Sequence, residues 1–178
     1  AVPMTPSQQA AGFAAVNRDR VKVHALAVFK AQMAAGDPEA LAIHDAVAAA
    51  GAQIATSNPT ATAKKPGMIY TPGLIRRMVG AGEGAAVTAG LRAIRDSDAA
   101  MDVQSWSGPV LAVWLAAVAR DQRFARLPLA EIFGGIAFDT LRDNCAPVAR
   151  ARGIALRGLM TDAVAQRLRD ALTDGGGA

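Results

Sequence analysis

The stretch "MAAGDPEALAIHDAVAAAG", Met33 to Gly51, decides the fold class. Asp37 stands where a helix needs an N-cap, and Pro38 presets the first turn. Glu39 follows at the positive end of the helix dipole. Gly51 supplies the left-handed residue on which such a helix closes. Between these signals the apolar residues are small. Leu41 and Val47, with Ala40 and Ala48, predict a shallow inward face that needs close neighbours of the same kind.

The rest of the chain repeats that character. Hydrophobic residues make up 52% of 178 positions but aromatic residues only 4%. Alanine supplies much of the difference, and it favours closely packed helices over a sheet. The expected fold is mainly α: a compact bundle of about seven or eight helices in a single domain over residues 1–174. Sub-units 1–57 and 67–174 are joined by a Pro/Thr/Lys loop, and 175–178 form a flexible tail.

A first helix is predicted from Pro6 to about Asn17, with Thr5 as cap and Phe13 and Val16 on its apolar edge. The next runs from about Val23 to Ala35 and aligns Leu26, Phe29, Lys30 and Met33 before Gly36 ends it. After Gly51, "AQIATSNPTATAKKPGMIYTPG" turns to Thr, Pro, Asn and Gly. Extended pieces near Gln53–Thr56 and Met68–Tyr70 read as a small hairpin around Lys64 and Lys65, or as a plain loop. Helices are expected at Pro72–Val79 and Ala85–Asp96, the second with Val87, Leu91 and Ile94 inward. "SGPVLAVWLAAVARDQ" is the central helix, capped near Ser107. One helix is predicted from Pro128 to about Asn144 with Ile132, Phe133, Ile136 and Leu141 inward. "CAPVARARG" reads as a short connection, and the last helix as Thr161–Leu172 with Val164 and Leu168 inward.

Charge and cysteine bound the function. The net charge is +4, carried by 15 arginines against 4 lysines. Arginine's planar fork suits phosphate, so the balance is compatible with nucleic acid. The lone Cys145 fits a reducing cytoplasm and leaves no internal disulfide. No apolar run approaches the ~18 residues of a membrane span, and "AVPMTPSQQ" lacks the pattern of a signal peptide. A cytoplasmic chain without membrane partners is expected, and its start on Ala suggests a trimmed or excised segment.

Chemistry-bearing clusters are sparse. His44 and Asp45 are adjacent on one helix, so their side chains should diverge by about 100° and cannot form a catalytic pair with each other. Neither His24 nor His44 has a nucleophile and orienter at a spacing that suggests a triad. No metal-ligand spacing occurs, and "GAGEGAA" before a helix lacks the Lys-Ser/Thr of a phosphate loop. Neither cofactor nor metal is expected. The pair Pro72–Val79 and Ala85–Asp96 has the outline of a helix-turn-helix, in which Thr88, Arg92 and Arg95 would face bases. Lys64, Lys65, Arg76 and Arg77, with the Arg18/Arg20/Lys22 cluster, would hold phosphates.

"AAGFAAVNRDRVKVHALAVFKAQMAAGDPEALAIHDAVAAAGAQIA", continued by "KPGMIYTPGLIRRMVGAGEGAAVTAGLRAIRDS", resembles the region after the nuclease-like domain in ParB-like proteins of phages, plasmids and bacterial genomes. The likeness covers roughly Gln8 to Leu172 and rests on helix-boundary and core residues. It implies DNA-associated work in partition, DNA modification or regulation. That family's nucleotide-binding domain carries a G-x-x-R-type box; Gly73 to Arg77 reproduces only its spacing, so neither nucleotide binding nor nuclease activity is carried over. The expected function is a non-catalytic DNA-binding or DNA-associated module. Four to six phosphate contacts would give a log-affinity against log-salt slope of roughly −4 to −5. Two other readings stand beside it: a protein-interaction or homo-oligomerisation module without nucleic-acid affinity, and a small enzyme built around Tyr70, Arg76 and Arg77.

Overall fold

The computed structural model describes residues 25–55, 57 and 59–174. The expected helix at Pro6–Asn17, the Arg18/Arg20/Lys22 cluster, His24, Thr56 and the tail at 175–178 lie outside the described residues. The chain forms eight α-helices over the described residues: α1 Ala25–Ala34, α2 Pro38–Ala48, α3 Pro72–Gly80, α4 Gly84–Asp96, α5 Gly108–Val118, α6 Leu129–Gly134, α7 Phe138–Arg152 and α8 Leu156–Asp174. Short 3-10 turns link several of them. Two two-residue strands, β1 Gln53–Ile54 and β2 Met68–Ile69, complete the elements.

The opening helix forms as its sequence requires. Asp37 Oδ1 accepts a 2.9 Å hydrogen bond from the Ala40 amide, which satisfies one of the donors left free at a helix start. At the other end Gly51, at φ +73°, lets its own amide reach the Ala48 carbonyl (2.8 Å) and the Ala52 amide reach Val47 (3.2 Å). This is the Schellman closure. Asp37→Ala should lower stability by about 1 kcal/mol, read as a shift in the urea midpoint at unchanged slope. The inward face differs from expectation. Ala40, Ile43 and Val47 are buried while Leu41 and Ala48 are exposed. Lys30 is likewise exposed although Leu26 and Phe29 on α1 are buried.

β1 and β2 pair in parallel, Gln53 with Met68 and Ile54 with Ile69, so they are not a hairpin. A hairpin reverses the chain, whereas here residues 55–67, with a 3-10 turn at Ala61–Ala63 and prolines at 59 and 66, carry it round to re-enter in the same direction. α5 is the axis of the bundle. Leu111, Val113, Trp114, Leu115, Ala117 and Val118 are all buried, and α5 packs between α4 and α8, with α7 on the outer side of α8. α6 packs on α4, and α2, α3 and α1 extend the layer beyond it. Phe29, Ile43 and Val47 join the same hydrophobic cluster as Leu91, Trp114 and Leu168.

The segment expected as one helix from Pro128 is broken at Gly135–Ala137 into α6 and α7, and only Phe133 of its predicted inward residues is fully buried. α7 then continues through "CAPVARAR" to Arg152, eight residues past the expected end. Pro147 removes the amide that would meet the Asp143 carbonyl, but both residues are exposed, so water can take that carbonyl. Gly153 stops α7, and α8 begins at Leu156 rather than Thr161. No helix of the described residues is long and apolar enough to cross a membrane.

Candidate binding surfaces

α3 and α4 are joined by only three residues, Ala81–Glu83, so the helix-turn-helix outline is present in length. The polar face of α4, however, is turned onto α2. The closure at Gly51 uses the carbonyls of Val47 and Ala48 and leaves those of Ala46, Ala49 and Ala50 without a backbone donor among the described residues. Thr88 Oγ1 donates to Ala46, Arg92 Nη2 to Ala49 and Arg95 Nη1 to Ala50, each at 3.0 Å. Three side chains at i, i+4 and i+7 of one helix thus cap the C-terminal end of another. The two cations also sit at the negative end of the α2 dipole. Arg95 further donates Nε to Asp96 Oδ1 (2.7 Å) and Nη2 to Asp96 Oδ2 (3.0 Å), and this bidentate contact holds the Asp96 carboxyl below its usual range.

The other expected cations are divided. Arg76, half-buried on α3, donates to Gln32 Oε1 and lies 3.6 Å from Glu39. It ties α3 to α1 and to the start of α2. Arg77 is exposed. Lys64 lies 5.4 Å from the centre of the Tyr70 ring, and the Lys65 amide donates to the Tyr70 hydroxyl at 3.1 Å. Tyr70 therefore pins the lysine loop. Several arginines elsewhere are matched by acids: Arg120 with Asp162, Arg123 with Asp121, and Arg142 with Asp139 and Asp143. Asp121 accepts from both the side chain and the amide of Arg123, which lowers its pKa to about 2. A depressed carboxylate contributes stability above its unfolded value, near 3.8, and loses it as pH falls toward 2. In an NMR titration Asp121 should show a midpoint near 2 that returns toward 3.8 in Arg123→Gln.

His44 and Asp45 do meet, Nδ1 to Oδ1 at 3.2 Å, against the expected divergence. The Cα–Cβ directions separate as the helix requires, yet both side chains are exposed and their tips bend together. A solvated contact of this kind contributes little. Near it, Phe29, Met33, Val47 and Ile54, with Lys30 and His44 at the edge, line a depression of about 560 Å³. Among the described residues no group of three or more His, Cys, Asp or Glu is placed to hold a metal.

Two features lay outside the expected site. The first is the turn between α7 and α8. Arg150, Arg152 and Arg157 are all exposed around it, and residues 145–161 contain no acid. The second is a cleft of about 650 Å³ lined by the first turns of three helices. Ser107, Pro109 and Val110 come from the start of α5, Ala137, Phe138 and Asp139 from α7, and Leu156, Arg157 and Met160 from α8. Val113, Phe133 and Ile136 complete an apolar floor. Phe133 is held edge-on to Trp114 (5.1 Å between ring centres, 69°) and against Phe138 (5.4 Å), so that floor is built on the core. Met101, 80% exposed, adjoins the lining residue Asp102, and Ile154, 46% exposed, lies two residues before Leu156.

No protein-family model, curated protein or solved structure matches this chain.

Proposed function

We propose that the chain is a non-catalytic docking module that engages a protein partner through the cleft at the starts of α5, α7 and α8. The observation that carries this reading is the character of that cleft. Its volume lies within the range of binding sites, and its lining joins apolar and aromatic side chains to seven polar or charged ones, among them Ser105, Asp139 and Arg157. Met101 and Ile154, close in sequence to the lining residues Asp102 and Leu156, are exposed. The Arg92 and Arg95 guanidiniums, by contrast, are engaged with carbonyls of the same chain.

The test is access to the cleft. Anilinonaphthalene sulfonate, an apolar anion, should bind the native protein with one-to-one stoichiometry. Ala137→Trp, which places a large ring on an exposed lining position, should abolish that binding while leaving the circular dichroism unchanged. Equal dye binding by both proteins would remove the cleft from consideration.

DNA association is the second reading, favoured by the acid-free arginine turn and by the ParB-like resemblance. Its phosphate contacts would be Arg150, Arg152 and Arg157. Three contacts give a log-affinity against log-salt slope of about −3. A fluorescence-anisotropy titration of duplex DNA across a salt series separates the two readings. The docking reading expects no duplex binding at low ionic strength. The DNA reading expects binding that is lost when all three turn arginines become Glu.

A further inference from the structure

The cleft carries information about the charge of its occupant. Each of α5, α7 and α8 presents its N-terminal turn to it, and such turns hold unsatisfied amides and the positive end of a helix dipole. Neither α5 nor α8 has an acid in its first turn. Ser107 and Ala137, at the cap positions of α5 and α7, make no side-chain capping bond. Two helix starts at the cleft, those of α5 and α8, thus carry no acid of their own.

The rim charges balance in number, two Asp against two Arg, but not in pairing. Asp139 lies 3.1 Å from Arg142, which also meets Asp143 at 3.3 Å. Asp102 accepts from the Gln104 amide at 2.9 Å. Arg157 alone among the rim's charged groups has no acidic or capping partner among the described residues. Beyond it stand Arg150 and Arg152, in a stretch of 17 residues (145–161) without Asp or Glu. The wall formed by α8 is therefore positive, and the floor beside it is apolar.

On the reading that this cleft docks a protein, we infer that its occupant is an acidic amphipathic helix of a partner. The apolar face of that helix lies on Val110, Phe133, Ile136, Phe138 and Met160, and its carboxylates face Arg157 and the α8 start. A helix fits better than a compact small molecule because the apolar lining is spread over several elements, with Val110 on α5, Phe133 on α6, Phe138 on α7 and Met160 on α8. Helix-in-groove recognition uses anchors at i, i+3, i+4 and i+7, and a lining spread in this way can take them. Duplex DNA fits worse, since phosphates would have to lie on the apolar floor.

The experiment is a display selection with a library of 16-residue peptides. Their positions i, i+3, i+4 and i+7 are drawn from Leu, Ile, Met and Phe, and the remaining positions from Asp, Glu, Lys, Arg, Ser and Gln. The folded full chain is the bait, and Ala137→Trp is the counter-bait. Enriched peptides should carry an excess of Asp and Glu. Arg157→Glu, on an exposed side chain, should weaken a selected acidic peptide about tenfold or more, from the loss of a charge-assisted contact. Enrichment of Lys and Arg, or indifference to Arg157→Glu, would overturn the acidic assignment while leaving the cleft a docking site. A selection with no peptide distinguishing the bait from Ala137→Trp would overturn the docking reading itself, as would binding confined to the small dye.

Discussion

Trp114→Ala should destabilise the domain by about 3–5 kcal/mol and lower its melting temperature by roughly 6–20 °C. Trp114 is fully buried on the central helix, so its removal leaves a cavity between α5 and α4. Two further losses add to the transfer term. The indole N–H donates to the Gly90 carbonyl at 2.9 Å in the interior, and Phe133 loses the ring it meets edge-on. Trp114→Phe separates these contributions, since it keeps a ring but removes the indole donor, at a cost of about 0.5–1.5 kcal/mol for the hydrogen bond. Gly90 is matched to the same contact. A Cβ there would lie 2.6 Å from Leu115 Cδ2 and 3.2 Å from Trp114 Nε1, so the close crossing of α4 on α5 depends on a bare backbone. Thermal unfolding followed by circular dichroism reads both variants. A Trp114→Ala protein that melts with the wild type would mean that α5 is not the axis of the core.

What could be read locally was read. Asp37, Pro38 and Gly51 act within one helix and its two turns, so their spacing sufficed to place α2. Val87, Leu91 and Ile94 share a face on any helix, and all three are buried. The rotation of α2 was harder. Alanines surround Ile43 and Val47 on every side, so the pattern could not choose between Leu41 and Ile43 as the inward residue. The helix expected to end near Asn144 runs on through Pro147, a residue that would stop it on a buried face. Whether its orphaned carbonyl meets water or protein is settled by tertiary packing. The parallel strand pairing and the three-helix cleft draw on residues far apart in the chain, and no short pattern encodes either. The polar face of α4 was visible as Thr88, Arg92 and Arg95, but what that face meets was not. Exposed cations at helical spacing look alike whether a duplex or a neighbouring helix end lies opposite.

That ambiguity makes the α4 clasp the most informative target after Trp114. Changing Thr88 to Val and both Arg92 and Arg95 to Met keeps the stems and helix propensity but deletes every donor to the α2 end. Separate hydrogen bonds of this kind contribute about 0.5–1.5 kcal/mol, and more when the donor is charged. Ala49 is exposed, so its carbonyl regains water, whereas Ala50 is buried and Ala46 half-buried; the triple variant should lose about 2–4 kcal/mol, less than the largest sum of single effects. The loss should be local before it is global. Amide exchange should rise first at Ala49 to Ala52, where the Schellman turn and Arg95 hold each other. A Cβ at Gly51 would stand 2.5 Å from Arg95 Nη1, so Gly51→Ala should loosen the same corner through strain at φ +73° and displacement of Arg95. Side chains that read bases would behave otherwise, since the triple variant would keep its melting temperature and lose duplex affinity. Two measurements on one protein therefore decide whether these residues face inward to the fold or outward to a nucleic acid.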